Sequence, residues 1–239
     1  MPEHIVKAFD AELNQIKRDL IEMGGIAERM ISDAMSALER LDRELAEKVI
    51  ATDPRLDNLQ REIEDEAILV IARRQPLAND LRAVVASIRI AGDIERVGDL
   101  AKNIAKRVRA IDVNLHLPKT ITGIIHMSRI AQSQMKSVLD SYANNDLGSA
   151  GSVWHKDGEI DALYTSIFRE LLTYMMEDPR SISACTHLLF SAKNIERIGD
   201  HATNIAETVH YIITGSNLPA ARPRGGDETS SAAPAGNTA

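Results

Sequence analysis

Ile94-Glu95-Arg96-Val97-Gly98-Asp99-Leu100-Ala101-Lys102-Asn103-Ile104-Ala105 returns later in the chain as Ile195-Glu196-Arg197-Ile198-Gly199-Asp200-His201-Ala202-Thr203-Asn204-Ile205-Ala206. Nine of the twelve positions are identical, and Val97/Ile198 is conservative. The copies stand 101 residues apart, too far for a short solenoid repeat and right for a duplicated domain. In each copy Glu, Asp and Asn recur four residues apart. Such residues on an α-helix differ by about 40° in azimuth and about 6 Å along the axis. Each copy therefore aligns two carboxylates and a carboxamide on one face: Glu95, Asp99 and Asn103, then Glu196, Asp200 and Asn204.

Such a face works against the helix that carries it. Like charges at i, i+4 cost roughly 0.2–0.5 kcal/mol, and Gly98 or Gly199 costs about 1 kcal/mol relative to alanine. A plain reading has Arg96 and Arg197 neutralising solvated acids while the glycines admit a close neighbour. The recurrence of the whole set favours a sharper reading, a cation site.

A metal needs ligands from a second direction. Asp53 and Asp57 form a DxxxD pair on the expected middle helix of the first repeat, and Asp157 and Asp161 form one in the second, 104 residues on. The difference of three from the motif spacing requires a small deletion at one of the turns between the strips. With middle and third helices antiparallel, each bundle presents four facing carboxylates: Asp53, Asp57, Glu95 and Asp99, then Asp157, Asp161, Glu196 and Asp200. Four such groups do not all stay ionised at close range without compensation. Bound cations, raised pKa values or solvent exposure resolve the conflict. Oxygen ligands suit Mg²⁺, Mn²⁺ or Ca²⁺, with iron and zinc also admitted. The Glu-x-x-His of di-iron bundles is absent from the motifs.

Several residues read both ways. Pro54 pushes Asp53 out of the helical region, toward capping or restarting a helix. Asp157-Gly158 is equally helix-poor. His201 follows Asp200, but Leu100 holds its place in the first copy and its side chain points about 100° away; it is a poor ligand candidate. His155 and His187 have no repeated counterpart and read as structural or surface residues. Asn103 and Asn204 are outer ligands, supporting donors or partners for backbone groups.

The rest of the chain frames these strips. At 239 residues it holds one large or two small domains, and the duplication favours two. Aromatics are only 3% against 44% apolar residues, so a core must be aliphatic, which suits helix bundles. A net charge of −7 argues against nucleic acid as a partner. Cys185 is the single cysteine, which excludes an intramolecular disulfide and reads as a buried, inert thiol. No signal peptide and no apolar run of about 20 residues is visible, so the expected location is cytoplasmic.

Helical spacing predicts helices from about His4 to Leu41, Arg43 to Arg74, Asn79 to Ala110 and Pro118 to Ala143, a fifth ending near Met176 and a sixth from Ser181 to before Gly215. Gly24-Gly25 bends the first or admits a neighbour. Asn79 is the expected cap of the third. Lys102, Lys106, Arg107 and Arg109 read first as charges complementing that helix's C-terminal dipole. The expected fold is all-α: two tandem three-helix bundles of six long antiparallel helices. The first repeat is 1–112, a connector 113–117, the second repeat 118–215 and a disordered tail 216–239.

The doubled ExxxD motifs, the DxxxD pairs and the turn Arg73-Arg74-Gln75-Pro76-Leu77-Ala78-Asn79-Asp80-Leu81-Arg82 give the chain a specific resemblance to the PhoU family of phosphate-uptake regulators, over about residues 3–213. The resemblance implies a cytoplasmic, non-enzymatic negative regulator of phosphate uptake and phosphate-starvation signalling. Its implied partners are a Pst-type ABC transporter ATPase and a phosphate sensor histidine kinase, which bring it to the membrane periphery. It also implies metal on the E/D-xxx-D acids (Mg, Mn, Fe or Zn) and a homodimer. The competing class is a carboxylate-bridged metalloenzyme, a hydrolase or oxidase. Against it, the acids have no repeated nucleophile or His base beside them and the chain has no Gly-rich phosphate loop. A third class is a metal store.

Overall fold

Apolar residues spaced three and four apart become the buried stripes of long helices. The structure, a computed structural model, describes residues 3–111, 118–155 and 157–218, with backbone alone at 3–8, 118 and 157. Its elements are α1 (Glu3–Arg40), α2 (Arg43–Arg74), α3 (Asn79–Ala110), α4 (Pro118–Asn144), α5 (Leu147–His155), α6 (Asp157–Glu177) and α7 (Ile182–Thr214), with a 3-10 turn at Pro179–Ser181. α1, α2 and α3 pack as one three-helix bundle, and α4, α5–α6 and α7 as a second. Among the described residues no helix is long and apolar enough to cross a membrane. The connector 113–117 lies outside the described residues, as does the tail beyond residue 218.

The middle element of the second bundle is described as α5 up to His155 and α6 from Asp157, residue 156 lying outside the described residues. α2 passes through the matching stretch unbroken, with Pro54 inside it. Asp53 is thus helical and buried rather than a cap, and the lost bond is the one Pro54 has no N–H to make.

Helix ends follow local chemistry. Asp42 caps α2 by accepting from the Leu45 N–H at 3.0 Å. Gln75 closes it at φ 49°, donating its N–H to the Ile71 carbonyl. Asn79 is the first helical residue of α3 and not its cap: Ala78 precedes it at φ 49° without a side-chain bond, and the Asn79 side chain accepts instead from Arg82. Gly215, at φ 75°, ends α7 as the sequence suggested.

The core is aliphatic, built on residues such as Leu20, Leu38, Leu56, Ile94, Ile104 and Ile195, with Cys185 buried among them. α1 runs unbroken through Gly24-Gly25, and a methyl at Gly24 would stand 2.6 Å from Leu139 Cδ1, so this glycine admits a neighbour.

The bundles lie side by side, α3 along α7 and α1 along α4. Equivalent helices meet antiparallel. Arg82 lies 5.6 Å from the Tyr211 ring centre, Asp93 meets His201, and Arg107 lies 4.6 Å from that of Phe190. On the other pair, Gly24 seats Leu139 and Glu28 sits in the field of Lys136. This is the pairing of a local twofold axis, and it puts both copies of the repeated motif on adjacent helices.

Candidate metal centre

The two motif glycines set how near the middle helices come. A Cβ at Gly98 would lie 2.2 Å from Leu56 Cδ2, and one at Gly199 would lie 2.8 Å from Ile160 Cδ1. Leu56 and Ile160 immediately precede Asp57 and Asp161. Seating those apolar residues in the glycine notches therefore fixes the register of each DxxxD strip against its ExxxD strip.

In the first repeat the four acids share one electrostatic neighbourhood. Lys102 Nζ donates to Asp53 Oδ2 at 2.6 Å and to Asp99 Oδ1 at 2.5 Å, tying α2 to α3. The Lys102 side chain is only 18% exposed. Glu95 lies one turn before Asp99 and is mostly buried, with Arg96 reaching it at 3.5 Å from an exposed position. Burial pushes the Glu95 carboxyl above the usual carboxylate range; the charges of Asp99, Asp57 and Asp53 push the same way and Arg96 opposes them. For Lys102, burial is the largest single influence and disfavours the charge. The hydrogen bonds to Asp53 and Asp99, with their charges, outweigh it and raise the ammonium pKa.

Reading Lys102 as a helix-end charge misses this bridge. Of its three companions, Arg109 pairs with Glu47 and Arg107 lies over Phe190, both away from the acids.

The second repeat is arranged differently. Glu196 and Asp200 are half-buried on α7, while Asp161 is exposed on α6. The Asp157 side chain lies outside the described residues. Lys193 pairs with the Glu196 carboxylate at 2.6 Å, from the same helix and from a half-exposed position. Thr203 stands where Lys102 stands in the first repeat; it is buried and its hydroxyl donates to the Gly199 carbonyl at 3.1 Å.

Among the described residues, no three Asp, Glu, His or Cys side chains converge as a coordination shell. The donor chemistry of the first cluster still fits a cation. An ammonium already occupies the point between Asp53 and Asp99, and Glu95 beside it carries excess acid charge. Hard, oxygen-preferring ions suit such donors.

His201 has a different partner from the metal considered for it. Its Nδ1 lies 2.8 Å from Asp93 Oδ1 across the boundary between repeats, both side chains being mostly buried. Asn204 Nδ2 donates to the same oxygen at 3.4 Å. Asp93 carried no repeat signal, since Asn194 holds its place in the second copy. Asp93, Glu95 and Arg96 of α3 face Asn204 of α7 along a groove open to solvent between the two helices.

A family model described as PhoU domain matches residues 20–108 and 124–209. A phosphate-specific transport system accessory protein PhoU homolog of Rhizobium meliloti (strain 1021) is 55% identical over 92% of this chain and 93% of its own. The Caulobacter vibrioides (strain NA1000 / CB15N) protein of the same description is 50% identical over 94% and 97%. Among solved structures, PhoU from Pseudomonas aeruginosa superposes with a TM-score of 0.84 at 38% identity, over 87% of this chain and 100% of that one. The phosphate transport system regulatory protein PhoU from Streptococcus pneumoniae gives 0.82 at 28% identity, over 88% and 99%.

Proposed function

The chain belongs to the PhoU family, and from that premise we propose that it regulates phosphate uptake as an adaptor and not as an enzyme. It joins the ATPase of a Pst-type ABC phosphate transporter to the phosphate sensor histidine kinase, and it restrains import and starvation signalling when phosphate is plentiful. The observation that carries the regulatory reading is the near full-length match to transport-system accessory proteins.

The adaptor is braced by metal. Asp53, Asp57, Glu95 and Asp99 would hold a cation in the first repeat, and Asp157, Asp161, Glu196 and Asp200 in the second. Mg, Mn, Fe and Zn are the candidate ions. The ion supplies positive charge that neutralises clustered carboxylates. This chain's own residues do the rest: the glycine notches hold the strips in register, Lys102 ties α2 to α3, and Asp93 with His201 ties α3 to α7. Partner-facing surfaces are thereby kept in fixed relation, in a cytoplasmic homodimer that reaches the membrane through its partners.

The test is affinity capture of the ATPase and the kinase from cells grown in high and low phosphate. Retention of either partner in high phosphate supports the adaptor. Recovery of neither, with control baits binding normally, contradicts it.

A further inference from the structure

The bundles meet over a cavity that neither forms alone. It is half-open, measures about 130 Å³, and takes its walls from α1 and α3 on one side and from α7 and the end of α4 on the other. Leu13, Val84 and Ile212 make it apolar. Ser87 adds no free donor, because its hydroxyl bonds to the Val84 carbonyl of its own helix at 2.7 Å. The polar residues that remain on the walls are Lys17, Tyr142, Asn14 and Asn145. Among the described residues, Lys17 has no carboxylate partner and the Tyr142 hydroxyl meets no acceptor. Burial pushes the Tyr142 phenol up to about 12, so it stays a neutral donor near pH 7.

We propose that this cavity binds a small organic monoanion, a carboxylate carried on an apolar body the size of a benzene ring.

The volume sets the body, since an engineered apolar cavity of about 150 Å³ holds benzene. The charge sets the head. Lys17 is the charged residue on the walls, and the last turns of α4 and α7 bring only the partial negative charge of helix C-termini. An anion there therefore depends on Lys17. One ammonium balances one carboxylate, whose oxygens accept from the Tyr142 hydroxyl and the two carboxamides. A phosphate dianion would hold a second charge against apolar walls without compensation, which is strongly disfavoured. With walls from both bundles, an occupant stabilises their side-by-side packing, as any ligand of the folded state does. Neither metal nor a transport partner is needed for such binding, so its failure would leave the regulatory reading standing.

The test is calorimetric titration of the full chain with benzoate, with its neutral isostere benzamide and with inorganic phosphate, beside melting curves. Wild type should take up benzoate saturably and melt higher in its presence. Lys17→Met keeps the alkyl stem and removes the charge. It should weaken benzoate by about tenfold or more, the scale of a lost charged hydrogen bond, and leave benzamide unchanged. Ala83→Leu, which fills the cavity, should abolish uptake of both. Should Ala83→Leu not fold, the ratio of benzoate to benzamide affinity in Lys17→Met decides alone. No saturable benzoate uptake by wild type, or equal uptake by Lys17→Met, overturns the proposal. So does phosphate uptake that matches benzoate and shares its loss in Lys17→Met, since the apolar body would then contribute nothing.

Discussion

Asp93 on α3 and His201 on α7 meet at 2.8 Å, and this contact joins the two repeats beside both copies of the acidic motif. Leu100 occupies the place of His201 in the first copy, so the local twofold axis does not reproduce the contact on its other side. His201→Leu tests its weight. It leaves Asp93 with Asn204 at 3.4 Å, in a mostly buried position. Loss of a hydrogen bond to a charged group costs about 1–3 kcal/mol. Urea unfolding should show a lower midpoint by that amount at unchanged slope. A change under about 0.5 kcal/mol, the scale of an ordinary surface substitution, would demote the contact to a surface pair.

The glycine notches predict an unequal pair of effects. Alanine gains about 1 kcal/mol over glycine in a helix interior, while overpacking costs about 1–3 kcal/mol. At Gly98 the new methyl would meet Leu56 at 2.2 Å, a residue with no exposed surface, so Gly98→Ala is net destabilising. At Gly199 the nearest atom, also a terminal methyl of a buried side chain, stands farther off, Ile160 Cδ1 at 2.8 Å, so Gly199→Ala costs less than Gly98→Ala. Adding Leu56→Val should recover part of the loss at Gly98 and none at Gly199. Equal losses at both sites, read by the same unfolding curves, would count against the notch.

Acid titration separates two glutamates by sign. Burial raises the Glu95 carboxyl in the folded chain, with Asp99, Asp57 and Asp53 adding to it. The folded state then binds more protons between the unfolded and folded values, so stability falls as pH rises through that window. In metal-free buffer Glu95→Gln should melt higher than wild type at pH 7, and the gap should close toward about pH 4. Glu12 behaves oppositely. The hydrogen bond from Arg74 holds its carboxyl below the ordinary value. That support is complete above the unfolded value, about 4.3, and is lost as pH falls through the folded one. Arg74→Gln should therefore lower the melting temperature at pH 7 and lose its effect in acid. A Glu95→Gln chain less stable than wild type at pH 7 would contradict the crowding of acids around Glu95.

Much of this was legible because it is local. Apolar spacing marks helices, and a fourfold step of Glu, Asp and Asn marks a face, without knowledge of any other helix. The antiparallel placement of Asp53 and Asp57 against Asp99 and Glu95 followed from short connections. Contacts set by helix-on-helix register were not legible. Asp93 and His201 are 108 residues apart and share no repeat signal. Lys102 looked like one of four cations near a helix end, and only the approach of α2 shows that it turns inward. The sequence did carry a mark at both places, since Leu100/His201 and Lys102/Thr203 are where the two copies differ most.

The most direct test of the metal-braced adaptor is capture of the transporter ATPase and the sensor kinase on immobilised full-length chain in high phosphate, with Mn²⁺ present or removed by chelator. It is repeated with Glu95→Gln/Asp99→Asn/Glu196→Gln/Asp200→Asn. The account predicts both partners retained by wild type with Mn²⁺, and at least tenfold less of each with chelator or with the neutralised variant. Equal retention by wild type and the neutralised variant, with and without Mn²⁺, would contradict it.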